Sequence, residues 1–206
     1  MLALAACARP IAPCTSDSSP HSVASWCRAP REGAFERRLA NGQLVERGTY
    51  VDGQLHETYA SWYAHGGPHT SGRYVRGLRE GSWRMWHENG QLWIEATYAD
   101  GVPHGRWIER EYNGTVVFDG TYVRGRLHGA WKVWRVDGSL RGAGESVAGK
   151  LDGRVIAYRP DGARVEQAWR ENRLHGRLVV YDASGAVTHT SEYRDGIEVK
   201  DADRSP

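Results

Sequence analysis

Histidine is the residue type in this chain that most directly suggests chemistry, because imidazole exchanges protons near neutral pH and ligates metals. Four of the nine histidines share one phase of a regular spacing, namely His56, His104, His128 and His175. A catalytic group is needed once, whereas a turn residue is needed in every copy of a repeat. The periodicity therefore predicts that these side chains stabilise turns by hydrogen bonding to the local backbone.

The segment His65-Gly66-Gly67-Pro68-His69 departs from this spacing and brings two imidazoles close together in sequence. A zinc site would need a third and usually a fourth ligand at suitable spacing, and no cysteine lies nearby. We therefore predict no metal site in this segment. A hydrolase built around the two histidines is the alternative that the segment leaves open.

Other catalytic motifs are missing from the sequence. It contains no Gly-x-Ser-x-Gly elbow, phosphate loop, His-Glu-x-x-His or Cys-x-x-Cys. Gly142-Ala143-Gly144-Glu145 has the glycine spacing of a dinucleotide loop, but it lies within a predicted strand and no helix follows it. We predict that the protein is not an enzyme and has no catalytic residues and no cofactor.

The charge balance argues against nucleic-acid binding, which normally needs a strong electrostatic attraction. The chain has 27 Lys and Arg against 25 Asp and Glu, a net charge of +2, and only three of the basic residues are lysine. Arginine binds carboxylates and phosphates bidentately and stacks on aromatic rings, so a Trp- and Arg-lined surface could bind an anionic partner, a glycan or a lipid headgroup. A genome-wide preference for arginine codons explains the same bias, and we favour that interpretation.

The elements that position these side chains follow from an internal repeat of 24 residues, marked by Tyr74, Tyr98 and Tyr122. Asn-Gly and Asp-Gly pairs such as Asn89-Gly90 favour tight hairpins, and a second connection reads Gly-x-x-His-Gly. Between these turns, apolar and polar residues alternate as they do in strands. The sequence predicts an all-β fold, an elongated single-layer antiparallel sheet of tandem β-hairpin repeats, in which six units extend roughly 58 Å.

Tryptophan residues on this sheet form the candidate binding face, which comprises Trp62, Trp83, Trp86, Trp131 and Trp134. A column of small residues that includes Gly72 and Gly144 leaves room for rings, and we expect these rings to come from the preceding strand. Trp83 and Trp86 are three residues apart, so a regular strand would direct them to opposite faces. A bulge or a two-sided aromatic surface would resolve this.

The order of motifs in one unit resembles the bacterial variant of the MORN repeat, and the resemblance extends over about residues 35–198. It is carried by Leu127-His128-Gly129, Trp131, Trp134, Asp137-Gly138 and Leu140. Departures occur where Glu57 replaces a glycine, Arg110 an aromatic residue and Ser146 a tyrosine. The resemblance implies a non-catalytic scaffold that binds proteins, a link to membrane lipids, and the antitoxin-like label that many bacterial chains of this kind carry.

The N-terminal segment Leu4-Ala5-Ala6-Cys7 resembles a lipobox, in which the cysteine is lipidated after cleavage, although the apolar stretch is short for a signal sequence. A disordered, alanine-biased N-terminus is the alternative interpretation. In an exported protein, Cys14 and Cys27 could pair as a disulfide. We predict a lipoprotein-like segment and linker over 1–30, the repeat array over 31–198 and a polar tail over 199–206.

These observations lead to one functional expectation and one alternative from a different class. We expect a non-catalytic scaffold, anchored in the cell envelope through Cys7, that binds a protein or another envelope component and contacts the membrane only through its lipid. The alternative is a soluble, cytoplasmic inhibitor of a toxin. Nucleic acid is not an expected partner.

Overall fold

The fold is one open antiparallel β-sheet in which successive strands of the chain are neighbours. The structure is a computed structural model and describes residues 32–199, which form 17 strands and no helix. Within this range, accordingly, no helix is long and apolar enough to cross a membrane. The strands are β1 (Gly33–Arg38), β2 (Leu44–Val51), β3 (Gln54–Trp62), β4 (Pro68–Val75), β5 (Leu78–Trp86), β6 (Leu92–Ala99), β7 (Val102–Arg110), β8 (Val116–Val123), β9 (Arg126–Leu127), β10 (Gly129–Trp134), β11 (Leu140–Val147), β12 (Lys150–Leu151), β13 (Gly153–Tyr158), β14 (Arg164–Arg170), β15 (Arg173–Tyr181), β16 (Val187–Arg194) and β17 (Ile197–Glu198).

The sheet is a meander of hairpins, in which two of the strands are interrupted by a single unpaired residue. The short β9 and the following β10 both pair with β8 and are separated only by His128. In the same way, β12 and β13 both pair with β11 and are separated by Asp152. The predicted all-β sheet of tandem hairpins is confirmed.

The two kinds of turn lie where the sequence predicted hairpin connections, but they differ in length. The tight two-residue turn is Arg76-Gly77, whose φ angles of 50° and 76° are both positive, as a type I′ hairpin requires. The Asn-Gly pair instead lies in the longer loop 88–90. This loop is closed by a hydrogen bond of 2.9 Å from the His87 N–H to the Gln91 carbonyl. The predicted hairpin turn at Asn-Gly is therefore found, with three loop residues instead of two, because a dipeptide that tolerates positive φ suits both kinds of turn.

A β-bulge follows each tight turn, at the last glycine of the Gly-x-x-His-Gly segment. The pairing between β4 and β5 shifts register around Gly81, and the shift recurs on β3, β7 and β15. Gly81 has a φ of 68°, and Glu57 occupies the corresponding position with a φ of 63°. The replacement of glycine by Glu57 therefore keeps the backbone conformation, at the steric cost that a Cβ atom incurs in this region.

The most deeply buried part of the sheet is an aromatic cluster near its middle. Trp83 is only 1% exposed and packs with Ile94, Ala96 and Tyr98. Trp83 and Ala96 lie opposite each other on β5 and β6, so the small residue leaves space for the indole. A single-layer sheet thus buries its core between side chains of neighbouring repeats on one face.

Close approach of rings to glycines confirms the role of the small-residue column. Trp131 lies over Gly144 from the preceding strand, as predicted, and a Cβ there would lie 2.8 Å from its Cζ2. Trp83 lies over Gly72, where a Cβ would lie 2.2 Å from its Cδ2. In that pair the ring comes from the following strand, opposite to the predicted direction, because each ring is flanked by a small residue on both neighbouring strands.

Strand alternation gives the sheet two chemically different faces. The aromatic face carries Tyr59, Tyr74, Trp83, Tyr98, Trp107, Tyr122 and Trp131. The charged face carries ion pairs between adjacent strands, formed by Glu36, Arg47, Arg84, Glu95, Arg106, Asp119, Arg154 and Glu166. A partner could therefore meet either an apolar or a charged surface.

Candidate binding surface

The four periodic histidines connect neighbouring repeats. Each Nδ1 accepts a hydrogen bond of 3.3–3.5 Å from a backbone N–H in the two-residue turn of the next repeat, 20 residues further along the chain. In repeats without this histidine, a carboxylate oxygen takes its place, from Glu32, Glu80 or Asp152. The predicted turn-stabilising role is found, but the prediction of a local backbone partner was wrong, because strand pairing places each turn beside the bulge of the preceding repeat.

A second hydrogen bond, between backbone groups, joins each of these tight turns to the preceding repeat. The N–H of Gly101, in the turn after β6, donates to the Arg79 carbonyl at 3.0 Å, and the N–H of Gly125 donates to the Pro103 carbonyl at 2.8 Å. Each tight turn is therefore attached to the preceding repeat by a side-chain acceptor and a backbone acceptor. The periodic histidines contribute to this attachment, so their recurrence needs no catalytic explanation.

Two of the histidines outside the spacing, His65 and His69, pack against one tyrosine. The Tyr63 ring centroid lies 5.5 Å from that of His65 and 4.6 Å from that of His69, and Nδ1 of His69 lies 3.2 Å from Ser61 Oγ. Between residues 32 and 199, no group of three or more His, Cys, Asp or Glu side chains could hold a metal ion. The hydrolase built around these two histidines stays a prediction.

The five tryptophans of the candidate binding face do not share one face. Trp83 and Trp131 lie on the aromatic face, where Trp83 is buried and Trp131 Nε1 donates to Ser146 Oγ at 3.0 Å. Trp86 follows Trp83 by three residues, and its pairing with β6 shifts register between Met85 and Trp86. Met85 packs against the core beside Trp83, so strand alternation directs Trp86 to the charged face. Trp62 and Trp134 occupy the position of Trp86 in their own repeats. The two-sided arrangement is therefore the one observed, and register shifts lie on both sides of Trp83, around Gly81 and between Met85 and Trp86.

The charged-face aromatics form a row, at one position in successive repeats, which we call the aromatic row. It comprises Trp62, Trp86, Arg110, Trp134, Tyr158 and Tyr181, and all six are partly exposed. Arginine guanidinium groups accompany it. That of Arg164 lies 3.8 Å above the Tyr181 ring, and Arg110 itself, where the row lacks a ring, contacts Glu95 at 2.8 Å. The row is thus a continuous strip of rings and guanidinium groups.

The arginines beside the row are largely neutralised by carboxylates on adjacent strands. Arg106 binds Asp119 through two hydrogen bonds of 2.8 and 3.2 Å. Glu166 accepts from Arg154 at 2.7 Å and from Arg164 at 3.1 Å. Burial of Glu166 disfavours its ionised form, but the hydrogen bonds from the two arginines outweigh this effect and lower its pKa below 4.5. The prediction that nucleic acid is not a partner stays a prediction.

Arg79 is a candidate that sequence reasoning missed. It lies opposite Tyr74, at a position that is apolar in five other hairpins, where Leu55, Pro103, Leu127, Leu151 and Leu174 occur. The last hairpin has Glu198 there, opposite Tyr193. Its guanidinium carbon lies 4.5 Å from the Trp83 ring centroid and 5.3 Å from that of Tyr98. Alignment of the repeats would have revealed this residue as a charge in an apolar column.

Some predicted features lie outside the described residues. These are the lipidation site Cys7, the pair Cys14 and Cys27, and the segments 1–30 and 200–206. The lipid anchor, the disulfide, the domain boundaries and the envelope location accordingly stay predictions.

Comparison with known proteins supports one element of this picture. No curated protein matches the chain. Residues 79–100, which cover most of β5, the loop and β6 with the start of the next turn, match the family described as the MORN repeat variant. The matched hairpin contains Trp83 and Trp86, so the one repeat found by this comparison is the unit that holds the centre of the core.

Proposed function

We propose that the protein is a non-catalytic repeat scaffold that binds a partner protein, or another component of the cell envelope, through the aromatic row. MORN repeats are generally non-catalytic repeat modules, which agrees with a scaffold role. The observation that carries the proposal is the recurrence of partly exposed Trp and Tyr side chains at one position in successive repeats, beside arginines. Trp, Tyr and Arg are the residues most enriched at the energetic centres of protein interfaces.

The geometry of the row defines what a partner must present. Two strands at about 4.8 Å each separate equivalent residues of adjacent repeats, so Trp62 and Trp86 lie about 10 Å apart across the sheet. Trp134 lies two repeats beyond Trp86, with Arg110 between them. A complementary partner therefore presents apolar pockets at this spacing and an acceptor for the Arg110 position, where Glu95 is the present partner.

The test is quantitative capture with matched variants, followed by measurement with the purified partner. We expect the double variant Trp86→Ala/Trp134→Ala to lower affinity at least tenfold, since loss of a central aromatic residue typically costs about 2 kcal/mol or more. Tyr112→Ala is the control, because Tyr112 is 55% exposed and lies in a loop outside the row. Equal binding by the double variant and the wild type in surface plasmon resonance would contradict the proposal.

We further propose that the scaffold is attached to the envelope by lipidation of Cys7. The lipobox-like Leu4-Ala5-Ala6-Cys7 and the Ser- and Pro-containing stretch after it support this. Cells given a radiolabelled fatty acid should incorporate it into the wild-type protein, in the membrane fraction, and not into the variant Cys7→Ser. An unlabelled wild-type protein found only in the aqueous fraction would exclude the anchor.

The inhibitor of a toxin stays the alternative prediction. It requires a toxic product of an adjacent gene that co-purifies with this protein, and loss of toxicity when both are expressed. An envelope location would count against a cytoplasmic inhibitor.

A further inference from the structure

Arg79 differs in residue type from the equivalent residue in most other repeats, and the fold does not require this difference. The equivalent position holds leucine in four other repeats and proline in one, each paired with a residue of the preceding strand, and it holds Glu198 only in the terminal hairpin. The backbone at Arg79 pairs with Tyr74 in the same way, so the sheet accepts leucine here. The positive charge of Arg79 is therefore not required by the repeat architecture.

The guanidinium of Arg79 is half-buried among rings. It lies over the faces of Trp83 and Tyr98, and its Nη1 donates to Tyr98 Oη at 3.2 Å. A second hydrogen bond joins it to the Tyr74 phenol. A guanidinium has five N–H donors and is always charged, so two phenols use only part of its capacity. Among the ion pairs of residues 32–199, none involves Arg79.

A concavity of about 320 Å³ opens beside this guanidinium on the aromatic face. Its polar lining includes Arg37, Ser61, His69, Thr70 and Arg79, and its walls are Val45, Tyr59, Trp62 and Tyr74. Thr70, one of the lining residues, is buried, with 9% of its surface exposed. Polar groups that converge above aromatic walls are typical of small-ligand sites.

The charges around the concavity leave one positive charge without a counter-ion. Arg37 Nε contacts Glu46 Oε2 at 2.7 Å, and Glu46 Oε1 accepts from the Tyr59 hydroxyl at 2.8 Å. Glu46 therefore neutralises Arg37, whereas Arg79 has only neutral partners. The Arg79 guanidinium therefore gives the concavity one positive charge without a counter-ion, which matches a monoanion. The nearby Glu46 carboxylate repels a dianion such as phosphate.

We propose that this concavity binds a carboxylate that carries an adjoining apolar or aromatic group, with Arg79 as the group that binds the anion. A guanidinium binds a planar carboxylate through two parallel N–H···O hydrogen bonds, and Ser61 and Thr70 hydroxyls line the same space. The aromatic walls receive the apolar group. The site shares Trp62 with the aromatic row, whose other five members do not line it.

The experiment uses N-acetylphenylalanine as the probe and N-acetylphenylalaninamide, which lacks the charge, as the matched ligand. Binding is measured at pH 8 by calorimetry and by the fluorescence of tryptophan, because Trp83 lies directly under the guanidinium. We expect saturable binding of the acid by the wild type, with a dissociation constant in the millimolar range, and at least tenfold weaker binding of the amide. Phosphate should bind more weakly than the acid.

The decisive variant is Arg79→Leu, which restores the residue that the other repeats use and is therefore expected to fold. Circular dichroism establishes its folding, and we expect at least tenfold weaker binding of the acid. Arg106→Leu, on the charged face, is the control and should bind as the wild type does. No binding by the wild type, or equal binding by a folded Arg79→Leu variant, would overturn the proposal.

A peptide that ends in phenylalanine distinguishes the two sources of such a carboxylate. Tighter binding of the peptide acid than of N-acetylphenylalanine would assign the site to a chain terminus, and equal or weaker binding would assign it to a free acid. Tighter binding of phosphate than of either acid would exclude the monoanion assignment.

Discussion

Substitution of Gly72 by alanine tests the claim that close approach of a ring, and not strand propensity, fixes glycine at this position. The φ of Gly72 lies outside the positive region, so a side chain is not excluded by backbone conformation. The added Cβ would lie 2.2, 2.4 and 2.7 Å from Cδ2, Cε2 and Cε3 of Trp83. Ordinary contact distances begin near about 3.4 Å, so the indole must move by roughly 1 Å.

The movement has two structural consequences. Trp83 Nε1 donates to the Arg73 carbonyl at 3.1 Å, and its ring packs edge-on against Tyr74 with centroids 4.9 Å apart. Overpacking of this kind typically costs about 1–3 kcal/mol, and weakening of the hydrogen bond adds about 1 kcal/mol. We therefore expect Gly72→Ala to lower the free energy of unfolding by about 2–4 kcal/mol.

Urea denaturation followed by circular dichroism and tryptophan fluorescence measures this loss, with coincidence of the two probes as the check on two-state behaviour. A double-mutant cycle identifies its cause, because Gly72→Ala should cost less than about 1 kcal/mol in a Trp83→Leu background. Ala96 shows that the column tolerates a Cβ where the ring is further away. A change below about 0.5 kcal/mol in the single variant, or an equal cost in both backgrounds, would refute the explanation.

Three further predictions follow from the fold. Glu57→Gly should raise the free energy of unfolding by about 1 kcal/mol, because it removes a Cβ from a φ of 63°, whereas Glu57→Ala should give no gain in the same urea titration. His128→Ala should lower the free energy of unfolding by about 0.5–1 kcal/mol, because the Ala148 N–H loses its acceptor in the preceding repeat. Thermal unfolding measures this loss, and His65→Ala, at a histidine outside the spacing, is the control. Glu166 has a folded-state pKa below its ordinary 4.5, so its contribution to stability is present above that pH and is lost as the pH falls through the folded-state value. The stability difference between wild type and Glu166→Gln should therefore shrink below pH 4.5, and a difference that is constant from pH 7 to pH 3 would contradict this.

The architecture could be predicted because each repeat needs the same turns. The glycine columns set the spacing of the hairpins, and the alternation around Tyr98 identified the strands. The kind of turn could not be predicted in the same way. Gly77 in the tight turn, Gly81 in the bulge and Gly90 in the longer loop all have positive φ, with values of 76°, 68° and 83°. Glycine indicates that conformation but does not distinguish the three structures that use it.

The placement of the tryptophan side chains was predicted less well, for a related reason. Trp83 and Trp86 belong to one motif, and composition groups them together, but their odd separation divides them between a buried core and an exposed row. The partners of the periodic histidines were missed because they lie 20 residues away, on a turn that only strand pairing brings near. Residue type alone carries no information on such contacts.

Departures from a repeat are informative about function only when the fold does not explain them. Glu57 replaces a glycine, yet it keeps the positive φ of the bulge and leaves the local backbone as in other repeats, so it is a tolerated strain. Arg79 replaces a leucine with no change of pairing, and it places an uncompensated charge beside a concavity in the one repeat that holds the buried core. A half-buried cation lowers stability relative to an apolar residue unless it gains a partner. If Arg79→Leu is more stable than the wild type and yet loses the carboxylate, the arginine is retained for binding; if it is less stable, the cation–π contacts with Trp83 and Tyr98 suffice to explain its presence.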